Sequence, residues 1–464
     1  MKFSRLMALF LAVAMLFLTS CGQENTDSAK DKMDLSTSSN ISSTTDENED
    51  FFSDAIGDLP EDDIPSNNAS INSSKVSSQS ISQNVLSVKE NINYIDHEFK
   101  YLQNFYSKIT TKEYVTVSFI GGSVTDGMGA TNAKEYGWPE LVCKYLDEKY
   151  EASVDIRKKS LGGTGSYLGA FKYVTDTAPS VYTQPDLLFV EFAINDHYIY
   201  RDEYKNNAES QKAVYDRVVK NSESIIKTAY KLNPEVDIIY VLTFDRTTKD
   251  DNYIELKAHT DVANKYGLMC IKLADDFYNK LNSRKDDVNY IPDGVHPNND
   301  GYRMYADNII ENIVMDLPRT GVARPNIVSK ELPEPMSNYY KNPYLINSNE
   351  INMSGSNGWT FNKSAFSWVG TRFGGLVKSE TPGSTLTVEF EGNHLGLLIN
   401  RDKDMGKISV SVDGGTPVIV DAYRSSTNPH ALPVAENLSN GKHTAVITLI
   451  DKTFEIGGLL VNKE

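Results

Sequence analysis

The sequence predicts an α/β fold, a doubly wound parallel sheet, followed by an all-β sandwich, and three observations carry the prediction. Apolar runs of strand length alternate with helix-period segments between residues 86 and 318. After Leu317 the helical period vanishes, and Pro318, Pro325, Pro333 and Pro335 mark a connector. From about Gly358 onward come short alternating runs punctuated by turn residues.

The chain opens with Lys2 and Arg5, then an apolar stretch from Leu6 to Leu18 that is too short to span a bilayer comfortably and fits a secretory signal. It ends in Leu18-Thr19-Ser20-Cys21, which resembles a bacterial lipobox. The resemblance implies a signal peptide over 1–21, lipidation of Cys21 and a protein held by its acyl chains on the outer face of the membrane, at the bacterial cell surface. Residues 22–85 are rich in Ser, Asn, Thr, Asp and Glu and too poor in apolar residues to offset ordering entropy. They read as a disordered tether with an r.m.s. span of about 45 Å, in which Phe51, Phe52 and Ile56 are isolated sticky residues.

A catalytic domain is expected over 86–330. Its candidate strands are Val115–Ile120, Ser153–Arg157, Leu187–Phe192, Asp237–Phe244 and Leu268–Ala274, with helical patterns around Lys134–Tyr150, Tyr204–Leu232, Asn252–Tyr266 and Asn299–Leu317. In such folds ligands sit outside the carboxyl ends of the strands. An accessory β-sandwich is expected over 331–464, with strand-like runs at Thr385–Glu391, Leu395–Asn400, Lys407–Val412, Val418–Asp421, Thr444–Asp451 and Gly458–Val461. A hairpin signal lies at Asp413-Gly414-Gly415.

Chemistry concentrates where strands end. Gly121-Gly-Ser-Val-Thr-Asp-Gly127 directly follows the first run, and a tight glycine turn there presents Ser123 at the sheet edge. A hydroxyl is a weak nucleophile and needs a base. Asp293-Gly-Val-His296, between Pro292 and Pro297, supplies one in a turn short enough for a carboxylate to meet one ring nitrogen while the other faces Ser123. Asp196 and Asp300 remain alternative partners for His296. Two further blocks lie between: Ser160-Leu-Gly-Gly-Thr-Gly-Ser166, whose glycines expose backbone N–H groups, and Glu191-Phe-Ala-Ile-Asn-Asp-His197, which closes a buried strand. Acyl transfer needs donors aimed at the oxyanion, and the candidates are the N–H groups of Ser123 and Gly165 and the Asn195 amide, with Gly162 and Gly163 as alternatives to Gly165. His197 reads as a structural histidine beside the site.

These four ordered blocks resemble the SGNH (GDSL-type) hydrolase superfamily over roughly Val115 to Met315. The resemblance implies a flavodoxin-like fold, Ser123 as nucleophile, His296 as base, Asp293 as its partner and Gly165 and Asn195 as oxyanion donors. Gly122 stands where many members have the aspartate of Gly-Asp-Ser, Ala193 where many have a glycine, and Ser160 where an asparagine is usual. The stretch Asn437–Thr444 with its following strand resembles the jelly-roll domain of carbohydrate esterase family two, which in that family precedes the catalytic domain.

Other classes are disfavoured. The formal charge of −17 argues against nucleic acid and anionic lipid as primary partners. Cys143 and Cys270 sit in apolar surroundings and read as core residues, and no metal-ligand spacing or cofactor motif is present. Asp402 and Asp404 read as a solvated turn, and Trp359, Trp368, Tyr339, Tyr340 and Tyr344 as core or interface aromatics before sugar platforms. The expectation is a serine esterase that needs no cofactor and removes O-acetyl or other small acyl groups from an acylated polysaccharide or oligosaccharide. Its alternatives are a lipase, lysophospholipase or thioesterase with the same residues, an acyltransferase running the reverse reaction, and an inactive glycan-binding lipoprotein.

Overall fold

A computed structural model describes residues 97–111, 114–177, 184–201, 203, 207–246, 253–318, 322–363 and 374–464. The expected signal peptide, Cys21, the tether and Trp368 lie outside the described residues.

The first half alternates as the apolar pattern requires: α1 Gln103–Ile109, β1 Tyr114–Gly121, α2 Ser123–Asp126, α3 Ala133–Tyr136, α4 Trp138–Tyr150, β2 Ser153–Lys158, α5 Ser166–Thr177, β3 Leu187–Glu191, α6 Ala193–Tyr200, α7 Ala208–Leu232, β4 Asp237–Leu242, α8 Ile254–Lys265, β5 Met269–Lys272, α9 Leu273–Asn279 and α10 Asn299–Asp316. The five strands pair in parallel in the order β2-β1-β3-β4-β5. Alternate residues of each strand serve opposite faces. Val117, Phe119, Phe189 and Val241 pack with α1, α4, α9 and α10, while Leu188, Val190, Tyr240 and Leu242 pack with α5, α7 and α8. Strand order reverses between β1 and β3, so Ser123 after β1 and Asn195 after β3 flank the switch point where such sheets bind ligands.

Several expected boundaries differ, two of them for a clear local reason. The helical pattern from Lys134 divides at Gly137, because Trp138-Pro139 opens a fresh helix where proline has no N–H to lose. The helical pattern placed from Tyr204 begins as α7 only at Ala208, where the Asn207 side chain caps the Glu209 and Ser210 N–H groups.

The second half is antiparallel: β6 Pro343–Asn347, β7 Thr360–Asn362, β8 Leu376–Ser379, β9 Thr385–Gly392, β10 His394–Arg401, β11 Lys407–Val412, β12 Val418–Asp421, β13 Asn428–Ala435, β14 Gly441–Leu449 and β15 Phe454–Asn462. One sheet runs β13-β10-β15-β8-β7 with β6 on β15; the facing sheet runs β12-β11-β14-β9. Asp413 and Gly414 take positive φ at the turn joining β11 to β12, as the hairpin signal predicts. Strand structure starts at Pro343, earlier than the alternation from Gly358 suggests. Strand β13 carries Pro429 and Pro433, which hide it in the sequence, and its place at the sheet edge accommodates them.

Strands β10 and β15 are buried on both faces. Leu395, Leu397, Ile399, Leu459 and Val461 fill the sandwich, whereas Leu398, Leu460, Leu345 and Leu376 join the core around α5 and α7. The Tyr167 hydroxyl meets His394 Nε2 at 2.7 Å across that seam, and Tyr340 and Trp359 are buried as core residues.

Candidate active site

The turn after β1 is built around crowding. A Cβ at Gly122 would lie 2.0 Å from Asn195 Oδ1, so a side chain at that position and the present placement of Asn195 exclude each other. Gly122 is thus matched to its neighbour. Ser123 then begins α2 and is 7% exposed. Beneath it lies Glu191, the last residue of β3 and fully buried. It accepts hydrogen bonds from Thr125 Oγ1 at 2.9 Å, Thr243 Oγ1 at 2.7 Å and, at 3.4 Å, the Gly122 N–H. Burial pushes the Glu191 carboxyl up to about 7 against the pull of these donors.

The loop 290–298 brings the second half of the site. Arg246 donates from Nε to Ile291 O at 2.6 Å and from Nη2 to Pro292 O at 3.1 Å, and Asn298 caps α10 through Gly301 N–H at 3.0 Å. Held at both ends, the loop places His296 Nε2 2.7 Å from Ser123 Oγ and His296 Nδ1 2.7 Å from Asp293 Oδ2. Asp293 Oδ1 accepts the N–H groups of Val295 at 2.9 Å and His296 at 2.7 Å. Partial burial pushes the Asp293 carboxyl up, but the hydrogen bonds from His296 and Val295 outweigh it and hold the group well below the usual carboxylate range. A serine hydroxyl, an imidazole and a carboxylate in this chain can pass a proton from Oγ to the ring and stabilise the imidazolium that results.

Asp293, not Asp196 or Asp300, is the carboxylate bonded to His296. Asp196 is occupied elsewhere: its Oδ1 accepts the Ser166 N–H at 2.8 Å and its Oδ2 meets His259 Nε2 at 2.9 Å, whose Nδ1 meets Ser222 Oγ at 2.9 Å. All three side chains are buried, so this second Ser–His–Asp series is a brace that ties the first turn of helix α6 to α7 and α8. His197 is buried against Tyr253, with ring centroids 4.2 Å apart, as a structural histidine.

Ser123, Asn195, His296, Gly162 and Gly163 open onto one cavity of about 740 Å³. Gly165, the expected backbone donor, does not line it. A Cβ there would fall 2.1 Å from Asp196 Oδ1, so its glycine serves the close approach of that carboxylate. The opposite wall comes from the sandwich: Arg401 at the end of β10, the segment from Arg424, and β13 as far as Pro433. These residues, and Glu191, were missed in the sequence. A carboxylate ending an apolar run was a signal for Glu191, whereas the wall residues are over a hundred positions from His296 and carry no local sign of the site. Among the described residues no group of three or more His, Cys, Asp or Glu is placed to hold a metal ion.

Residues 119–304 match the GDSL-like lipase/acylhydrolase family. Among solved structures, a two-domain esterase active on acetylated mannans superposes with a TM-score of 0.64 at 17% identity, over 78% of this chain and 96% of that one. The same kind of two-domain esterase, co-crystallised with mannopentaose, gives 0.62 at 16% identity over 78% and 94%. At these identities the likeness establishes a shared two-domain fold. No curated protein sequence matches the chain. The four motif blocks, their convergence on one cavity and the family match make the chain an ester-hydrolysing enzyme whose residues 119–304 match the GDSL-like lipase/acylhydrolase family.

Proposed function

We propose that the protein is a surface-anchored carbohydrate esterase that removes acetyl or other small acyl groups from polysaccharide through an acyl-enzyme. The observation that carries the reading is the hydrogen-bonded series Ser123–His296–Asp293 opening into a cleft whose far wall is a β-sandwich. His296 takes the Ser123 proton as Oγ attacks the ester carbonyl. The tetrahedral oxyanion is held by the Ser123 N–H, the Asn195 amide and the Gly162–Gly163 backbone, which takes the place first assigned to Gly165. The C–O bond to the sugar then breaks, and His296 protonates the leaving hydroxyl. Water, deprotonated by His296, releases the acid and restores the serine.

The charged, two-sided cleft supports a glycan over a long acyl chain, because arginines line it beside the serine and a buried aliphatic tail would desolvate them. The solved two-domain esterase active on acetylated mannans adds a precedent for the substrate class. Anchoring rests on Leu18-Thr-Ser-Cys21 after a short apolar stretch, which makes Cys21 the lipidated residue and places the enzyme at the bacterial cell surface on a tether from 22 to 85. Hydrolysis of aryl esters from acetyl to octanoyl, with Ser123→Ala alongside, tests the reading. Acetyl-selective activity that vanishes in the variant is expected; a preference for octanoyl, or equal rates in both proteins, contradicts it.

A further inference from the structure

The cleft onto which Ser123 opens holds a concentration of positive charge that the esterase chemistry does not use. In a chain of net charge −17, its lining includes Arg201, Arg217, Arg401 and Arg424 and a single carboxylate, Glu203. That carboxylate is spent on Arg217 at 2.9 Å. Arg201 stacks over the Tyr198 ring at 4.4 Å. Neither Arg401 nor Arg424 forms an ion pair with a carboxylate among the described residues, and Arg401 has only the neutral Asn428 Oδ1, at 3.2 Å from its Nε. Asp402, the acid next in sequence, is turned to the Thr427 hydroxyl and the Asp404 N–H.

The exposed Arg424 guanidinium acts on the partly buried Arg401. Burial, and then the charge of Arg424, pull Arg401 down to about 10, and both cations add to burial in drawing the neighbouring His430 down to about 3. His430 Nδ1 is itself a buried nitrogen with no hydrogen-bond partner among the described residues. A guanidinium partly withdrawn from water in the field of a second cation is costly, and an anion that reaches both relieves that cost. Guanidinium forks suit the paired oxygens of a carboxylate or phosphate.

We propose that Arg401 and Arg424 form an anion subsite in the cleft, so that the ester cleaved at Ser123 sits on a glycan carrying an anionic substituent, a uronic-acid carboxylate or a phosphate. The proposal rests on reading the cleft as the substrate site. It narrows the substrate from acylated polysaccharide in general to an acidic one. It also gives the sandwich a role: the end of β10 and the segment between β12 and β13 bring two cations without a carboxylate partner among the described residues, whereas in the α/β domain Arg217 is paired with Glu203 and Arg201 lies over Tyr198. An acidic chain repels such a glycan at long range, so the local pair is what selects it.

The test is calorimetric binding to the full chain carrying Ser123→Ala, which separates recognition from turnover. The probes are mannotriose, trigalacturonate, trimannuronate and mannose 6-phosphate with mannose as its neutral counterpart. At low salt at least one anionic probe is expected to bind about tenfold or more tighter than its neutral counterpart, an advantage that shrinks as salt rises. The advantage is expected to disappear when Arg401→Gln or Arg424→Gln is added and to survive in part in Arg401→Lys, which keeps the charge. A preference for the uronates or for the phosphate identifies the source of the anion. Equal affinity for acidic and neutral probes, or an advantage intact in both Gln variants, overturns the proposal. Because binding is read without catalysis, failure of acetyl-ester hydrolysis would sink the esterase reading and leave this result to stand by itself.

Discussion

The Thr125 hydroxyl donates to the buried Glu191 carboxyl at 2.9 Å, so the turn that carries Ser123 is fastened to the end of the neighbouring strand. Glu191→Ala would strand the hydroxyls of Thr125 and Thr243 without their acceptor, costing about 2–4 kcal/mol of stability. Glu191→Gln separates charge from shape. Burial holds the folded pKa at about 7, above the ordinary 4.5, so the folded state keeps a proton that the unfolded chain releases. The resulting stabilisation is present below about pH 4.5 and lost as pH rises through 7. Denaturant titrations from pH 4.5 to 8 should show the gap between wild type and Glu191→Gln shifting in favour of the variant with rising pH; a constant gap would refute the assignment.

Asp293 is the carboxylate on His296, and exchange for Asn separates it from its rivals. In Asp293→Asn the side-chain oxygen can still receive the backbone N–H groups, but His296 loses its anionic partner. A fall in kcat of roughly three to four orders of magnitude is expected with little change in KM. Asp300→Asn, at the exposed first turn of α10, should stay near wild type. Comparable losses in the two variants would contradict the assignment.

His259 and Asp196 brace the turn that presents Asn195. His259→Leu leaves the Asp196 carboxylate buried without its ring partner, a loss of about 3–5 kcal/mol. Ser222→Ala, at the far end of the series, removes one hydrogen bond and should cost about 1 kcal/mol. Denaturation midpoints measure both, and equal effects would show that the series does not converge on Asp196.

Acid should loosen the seam between the two domains. Burial, with the charge of Lys220, pulls His394 down to about 3, below its ordinary 6.5, so the folded state binds fewer protons than the unfolded chain. The stability this contributes is present above about pH 6.5 and lost as pH falls toward 3. The seam around Tyr167–His394 is thus expected to weaken over that range, seen as a falling Tm, and His394→Gln should flatten part of the slope that His430 shares. A slope unchanged by the substitution would place the acid sensitivity elsewhere.

The parallel sheet was legible because β1, β3 and β4 are buried on both faces and read as unbroken apolar runs between helical stretches. Ser123, Asp293, His296 and Asn195 were legible because each lies in a short block at a strand end or turn, where spacing alone brings groups together. Gly162, Gly163 and Gly165 stayed interchangeable as donors because three glycines in four residues look alike in sequence, and only the position of Asp196 separates the one that makes room for a carboxylate from those that line the cavity. Strand β13 and its cleft wall were hidden because Pro429 and Pro433 argue against a strand unless it is known to lie at an edge. The placement of Arg401 and Arg424 in the cleft with Ser123 depends on a docking between domains that no local pattern encodes.

The central claim is that Ser123 is the nucleophile activated by His296. Incubation with a fluorophosphonate, in which the serine oxygen displaces fluoride at phosphorus, followed by peptide mass spectrometry tests it most directly. One adduct per chain at Ser123, formed far more slowly in His296→Ala, is the predicted result. Absence of an adduct, or one on another residue, would contradict the account.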